Sequence, residues 1–173
     1  MELRHTPEQA TEPTIALGLD LWSFNKPILL VRHTTTNIGS SRVEDLKLHC
    51  LFDFDVGGPT SYKDDIGVYD PESGVIMAYD DTRLSVAMTS RPQPDRWEIS
   101  TPLKLKVTPN RRDLKNNLEL GPKDIATGLQ WNLGNIEPGE SKSVDIVLVS
   151  AVSQDETSSL LENAWSLFAR KIR

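Results

Sequence analysis

The sequence predicts an all-β protein, an antiparallel β-sandwich closed by a C-terminal α-helix. Three observations predict it. Short runs alternate apolar and polar residues with a period of two, as strands with one buried face do. Ten glycines and eleven prolines punctuate those runs at turn positions. Residues 153–173 then change period and place apolar residues on a single helical stripe.

Residues 1–13 are polar and read as a loose N-terminal arm or an edge segment. Residues 14–24 set Ile15, Leu17, Leu19 and Leu21 on one face of a half-buried strand. "ILLVRHTTT", residues 28–36, is a β-branched strand, and "NIGSS" turns the chain, with Gly39 free to take positive φ. The clearest strand covers 43–54. Leu46, Leu48, Cys50, Phe52 and Phe54 share one face, while Lys47, His49, Leu51, Asp53 and Asp55 share the other. "IGVYDPESGVIMAYDD" is a hairpin turning at "PESG". "RLSVAMTS" puts Leu84, Val86 and Met88 inward, and "RPQPD" breaks it, because proline cannot donate to a ladder.

"RWEISTPLKLKV" supplies one or two further strands, with Leu103, Leu105 and Val107 alternating against Lys104 and Lys106. "RRDLKNNLEL" is a short helix or an irregular excursion. Ile125, Thr127, Leu129, Trp131 and Leu133 then alternate with polar or small residues, "EPGE" turns, and Val144, Ile146 and Leu148 close the sheet. In the terminal helix Ser153 and Glu156 fit a capping box. Leu160, Leu161, Ala164, Trp165, Phe168 and Ile172 form the stripe, and Arg170, Lys171 and Arg173 suit the negative C-terminal end.

At 173 residues the whole chain, 1–173, fits one domain with a core that needs no staples. An apolar share of 38% and a charged share of 25% mark a globular chain. The net charge of −6 argues against a nucleic-acid groove, which needs a basic stripe, and disfavours an anionic membrane surface. Cys50 is the single cysteine, so an internal disulfide and a cysteine metal cluster are both excluded. The N-terminus lacks the pattern of a signal peptide and no run is long enough for a membrane helix, so a cytoplasmic location is expected.

Several pieces recur in an order that resembles a known family. They are the acidic "DFD" strand followed by a glycine pair, the "DIGVYD" hairpin, and the ending "GPKDIATGLQWNLGNIEPGES" before a helix. Over roughly residues 28–170 the chain resembles the N-terminal β-supersandwich domain of prokaryotic glucoamylase-like glycosidases, which has the galactose-mutarotase-like fold. The resemblance implies a domain without catalytic residues that precedes a separate α/α barrel holding the paired carboxylates. The helix from Ser153 matches the linking helix, and the chain ends where that barrel would start. The mutarotase branch of the fold uses His and Glu in a sugar groove, a pattern that cannot be placed on this sequence.

Four groups of residues are candidates for a site. The aspartates Asp53, Asp55, Asp64, Asp65, Asp70, Asp80 and Asp81 serve as turn and strand-end residues, as calcium ligands, or as catalytic carboxylates. "DFDVGG" does not continue as an EF-hand loop, since Gly57 stands at the third ligand position. No cofactor is expected, calcium being the alternative. His33 and His49 lie on strands that would form a hairpin, as a shared-face pair or as two unrelated surface histidines.

Among the aromatics, Trp97, between charges in "DRWEIS", reads as the exposed sugar platform, with Tyr62 next, whereas Trp131 reads as core. Leu161, Trp165 and Phe168 either pack on their own sheet or form an interaction helix for a partner subunit or catalytic domain. The ligand-binding candidates are therefore Trp97, Tyr62, His49, Asp53 and Asp55.

No catalytic set stands out: no G-x-S-x-G elbow and no G-x-G-x-x-G turn is present. The expectation is a non-catalytic carbohydrate-associated module that binds a glycan weakly or supports a glycosidase. The alternatives are a structural or protein-interaction domain, including a homo-oligomer, and a small sugar-active enzyme of the epimerase type.

Overall fold

The computed structural model describes residues 1–8, 11–58, 61, 63–108 and 111–171. These form eleven strands and one helix: β1 (Glu2–His5), β2 (Ile15–Phe24), β3 (Lys26–Asn37), β4 (Val43–Asp53), β5 (Ile66–Asp70), β6 (Val75–Tyr79), β7 (Ser85–Arg91), β8 (Arg96–Ser100), β9 (Asn117–Leu118), β10 (Ala126–Ile136), β11 (Ser141–Ala151) and α1 (Gln154–Lys171). A seven-stranded sheet runs β1-β2-β3-β11-β7-β6-β5, and a four-stranded sheet runs β4-β10-β8-β9. All pairings are antiparallel except the two-residue β9, which lies parallel to β8. The expected sandwich with a C-terminal helix is the observed architecture.

The period-two pattern decides what each face buries. Between the sheets lie Val31, Phe54, Val56, Ile76, Met88, Ile99, Ile125, Leu129, Trp131, Val144 and Ile146. Trp131 is 1% exposed, and its indole Nε1–H donates to the Pro92 carbonyl at 3.1 Å and to Ser90 Oγ at 3.3 Å. A buried Trp is stable only when its N–H is satisfied in this way. The alternate residues of the large sheet, Ile28, Leu30, Ala87, Val147 and Val149, form a second core under α1 with Leu161, Ala164 and Phe168. Trp22 meets Phe168 edge-on at 5.6 Å.

The helix begins as its sequence predicts. Glu156 N–H donates to Ser153 Oγ at 3.2 Å, while the Glu156 carboxylate accepts the Val152 N–H at 3.3 Å instead of that of Ser153. Asp70 shapes the β5–β6 turn by accepting Glu72 N–H at 3.0 Å and Ser73 N–H at 3.3 Å, and Gly74 supplies the positive φ of 67°.

Several expectations need correction. Of the two readings of residues 1–13, the edge segment and not the loose arm holds for residues 2–5, which form an edge strand paired to β2. β3 and β4 are not a hairpin, because they belong to different sheets. Asn37 fixes the crossing between them: its Nδ2 donates to the carbonyls of Ser41 and Ile136 at 2.8 and 2.9 Å, and its Oδ1 accepts Gly39 N–H at 3.0 Å. Of the one or two strands expected over 96–107, one forms, β8. Leu105 is buried, whereas Leu103 is 81% exposed. For residues 111–120 the irregular excursion holds and not the helix, with the short β9 inside it. Leu84 stays partly exposed just before β7, and Ile172 lies outside the described residues.

Candidate functional site

The outer face of the small sheet is where a strand-borne groove would open. β4 presents Lys47, His49, Leu51 and Asp53 there. Opposite them in register stand Asn132, Gln130, Gly128 and Ala126 of β10, followed by Arg96, Glu98 and Ser100 of β8. The chain's own segments 101–108 and 111–118 roof most of this face. Leu105 and Leu114 press down on Ala126 to form a small apolar cluster. Gly128 makes room for them, since a Cβ there would come within 3.1–3.2 Å of Leu114, Leu51 and Leu105.

Polar side chains pin the roof. Gln130, wholly buried, accepts Leu114 N–H at 2.8 Å and donates from Nε2 to Asp113 Oδ1 at 2.6 Å and to Asn132 Oδ1 at 2.8 Å. Lys47 Nζ donates to Asp113 at 2.8 Å. These two donors hold the Asp113 carboxyl down at about 2. Glu98 is 1% exposed, pairs with the Arg111 guanidinium and accepts Lys115 N–H at 3.1 Å. His49 Nε2 lies 3.1 Å from the Arg112 carbonyl, and burial lowers its pKa. His49 is therefore spent on the roof. His33, on β3 of the other sheet, has a buried Nδ1 without a partner and is also lowered by burial. The two histidines share neither a face nor a sheet.

At one end of the sandwich the carboxylates gather. Asp53, Asp55 and Asp124 each bring an oxygen within 4.8 Å of the others. Burial and then repulsion from Asp124 and Asp55 raise the Asp53 pKa. Asp65 lies in the same region, fully buried, and its pKa is pushed up to about 7, mainly by desolvation. Asp80 differs, because Ser61 Oγ donates to it at 2.7 Å and Thr82 N–H at 3.0 Å. Asp64 and Asp81 are exposed.

Trp97 is not an exposed platform. It is half-buried, stacks on Tyr69 with ring centroids 4.3 Å apart, and packs against the inter-sheet core opposite Leu129. Its flanking charges face the roof, which is why they misled. Tyr62 lies outside the described residues. Leu161 and Phe168 are 9% and 1% exposed against their own sheet, so for both the packing alternative holds and not the interaction helix.

Trp165, half-buried, borders a groove of about 860 Å³ between α1 and the β5–β7 half of the large sheet. Arg91, the last residue of β7, lays its guanidinium 4.2 Å from the Trp165 ring centre. Gln93, Asp70, Ser158 and Glu162 complete a polar rim. Gln93 reaches across to the Glu72 carbonyl at 3.2 Å. The sequence analysis missed this groove. Its one local sign was a tryptophan beside exposed polar positions of the helix, with Glu162 and Ser166 on the same side.

Comparison with known proteins identifies the fold. No protein-family model matches the chain, and no curated protein matches it. Solved structures do. A bacterial glucoamylase complexed with acarbose superposes with a TM-score of 0.67 at 15% identity, over 90% of this chain and 23% of that one. A putative aldose 1-epimerase from Escherichia coli K12 superposes with a TM-score of 0.55 at 10% identity, over 87% of this chain and 64% of that one. The chain thus has the galactose-mutarotase-like β-sandwich fold. It spans under a quarter of the glucoamylase and just under two thirds of the epimerase. Among the described residues, no helix is long and apolar enough to cross a membrane.

Proposed function

We propose that this chain is a non-catalytic carbohydrate-associated module, which holds a glycan weakly in the groove beside α1 and supports a glycosidase catalytic domain. The groove carries the reading. Sugar rings stack their apolar faces on indole rings, and their hydroxyls bond to planar polar groups. Trp165 borders the groove with one ring face already stacked under the Arg91 guanidinium, so a sugar would meet this Trp–Arg pair, and Arg91, Gln93, Asp70 and Glu162 offer the planar groups. Among the described residues Arg91 makes no ion pair and has the Trp165 ring as its contact, so its donors remain for a ligand.

An enzyme of the epimerase type is less well supported. It needs a histidine and a carboxylate converging in a cavity, yet His49 is bonded beneath the roof and His33 points between the sheets.

Tryptophan fluorescence during titration with maltose, maltotriose and other oligosaccharides tests the proposal. A saturable change is expected with a dissociation constant of about 0.1–1 mM, lost in Trp165→Ala and weakened at least about tenfold in Arg91→Ala, whose side chain is exposed. A response that survives in Arg91→Ala, or none with any sugar, overturns it.

A further inference from the structure

The acidic end of the sandwich holds two features that the carbohydrate reading does not use. The first is geometric. β4 and β10 pair so that Asp53 stands opposite Ala126, two residues beyond Asp124, and Asp55 follows Asp53 on the same side of the chain's path. Sheet pairing therefore anchors the cluster. Its three carboxylate oxygens lie within 4.8 Å of one another. Oxygens bound to one calcium ion at about 2.4 Å are separated by at most about 4.8 Å, so the set fits one such shell. Magnesium demands a near-ideal octahedral shell and gives up its waters reluctantly, which a mixed set of strand and loop carboxylates suits less well.

The second feature is independent of the cluster's exposed members. Asp65 is 0% exposed, neither carboxylate oxygen has a hydrogen bond of good geometry, and the nearby Val56 N–H offsets only part of the desolvation. Its backbone carbonyl accepts Lys123 N–H at 3.0 Å, which docks it against the loop carrying Asp124. Only a glycine permits that approach, because a Cβ on Gly121 would sit 2.4 Å from the Asp65 carbonyl oxygen. The buried carboxylate feels the negative charges of Asp80, Asp55 and Asp124. Native proteins rarely bury an unpaired carboxylate, and those that do pair it with a cation or a proton. Asp70 and Asp80 need no such explanation, since turn donors satisfy them.

We propose that Asp53, Asp55 and Asp124 bind one hard divalent cation, calcium by its tolerance of irregular oxygen shells, with the buried carboxylate of Asp65 in the same acidic region behind them. The ion would cancel the repulsion among the three outer groups and neutralise the inner one. It would also tie the end of β4 to the loops before β5 and β10. Water would complete the shell on the exposed side of Asp53 and Asp55.

The test uses the full chain stripped with a chelator, with calcium chloride and magnesium chloride as probes. Calorimetric titration is expected to give saturable calcium binding, and calcium is expected to raise Tm by about 3–5 °C. Magnesium should give a smaller shift. Asp53→Asn and Asp124→Asn, both at solvent-accessible positions, should each weaken calcium binding at least about tenfold while keeping the metal-free Tm. Asp65→Asn should weaken it as well and raise the metal-free Tm. Absence of heat and of a Tm shift at about 10 mM calcium overturns the site. A shift that persists in Asp53→Asn/Asp124→Asn overturns it equally, and an equal response to magnesium overturns the assignment to calcium.

Discussion

Replacing Glu98 with glutamine should loosen the roof over the small sheet. Glu98 is 1% exposed and its Arg111 partner is 27% exposed at the side chain. Breaking a buried pair by neutralising one member typically costs about 3–5 kcal/mol, because the other charge stays desolvated. Arg111 keeps access to water and to the Lys104 carbonyl at 2.9 Å, and glutamine can still accept the Lys115 N–H. The expected loss is therefore about 2–3 kcal/mol, or about 5–10 °C in Tm for a chain of this size.

Urea unfolding measures the loss. Limited trypsin digestion reads where it falls, since Lys104, Lys106, Arg111, Arg112 and Lys115 all lie in the roof. Cleavage there should accelerate before global unfolding does. Arg111→Met combined with Glu98→Gln should recover part of the stability, giving a coupling energy of about 1–3 kcal/mol. A loss under about 1 kcal/mol with unchanged digestion would refute the idea that this ion pair closes the face.

Three further outcomes are expected. Asp65 has a native pKa of about 7 against an ordinary value of 3.8, so the folded state holds a proton that the unfolded state releases between those limits. Stability of the metal-free protein should thus fall as pH rises from about 4 to about 7, by up to about 4 kcal/mol. Asp65→Asn should abolish that slope in urea titrations, and an unchanged slope would place the effect elsewhere. Trp131→Ala, which empties the centre of the inter-sheet core, should cost about 3–5 kcal/mol in urea unfolding. Burial pushes the Cys50 thiol up to about 12, so an aromatic disulfide reagent should label it only slowly until denaturant is added.

Much of this fold is legible in its residues because period-two alternation reports faces directly. Leu48, Cys50, Phe52 and Phe54 pack between the sheets as their spacing implies, and so do Leu129 and Trp131. The helix was equally plain, from its Ser153 cap to its Phe168 stripe. Alternation does not say which sheet a strand joins. β3 and β4 follow one another closely, yet pair with β11 and β10 respectively. Nor does it say whether a neighbour waits for a strand. The run Leu103, Leu105, Val107 alternates well but folds back as a lid, with only Leu105 buried.

The site was harder to read for a related reason. Charges beside Trp97 suggested exposure, but Glu98 is itself buried, neutralised by Arg111 from a distant loop. His49 looked free until the Arg112 carbonyl met it. The groove draws Arg91 from a strand end, Asp70 from a hairpin and Trp165 from the helix, a conjunction that no local pattern encodes. The acidic strand end was visible from "DFD". The burial of Asp65 behind it depends on the close approach at Gly121.

The most direct test of the carbohydrate reading is amide chemical-shift mapping of the isotope-labelled chain during titration with maltotriose. The account predicts saturable shifts confined to residues 70–75, 89–93 and 158–169 around the groove. Shifts centred instead on β4, β8 and β10 under the roof, or no shifts with any oligosaccharide, would contradict it.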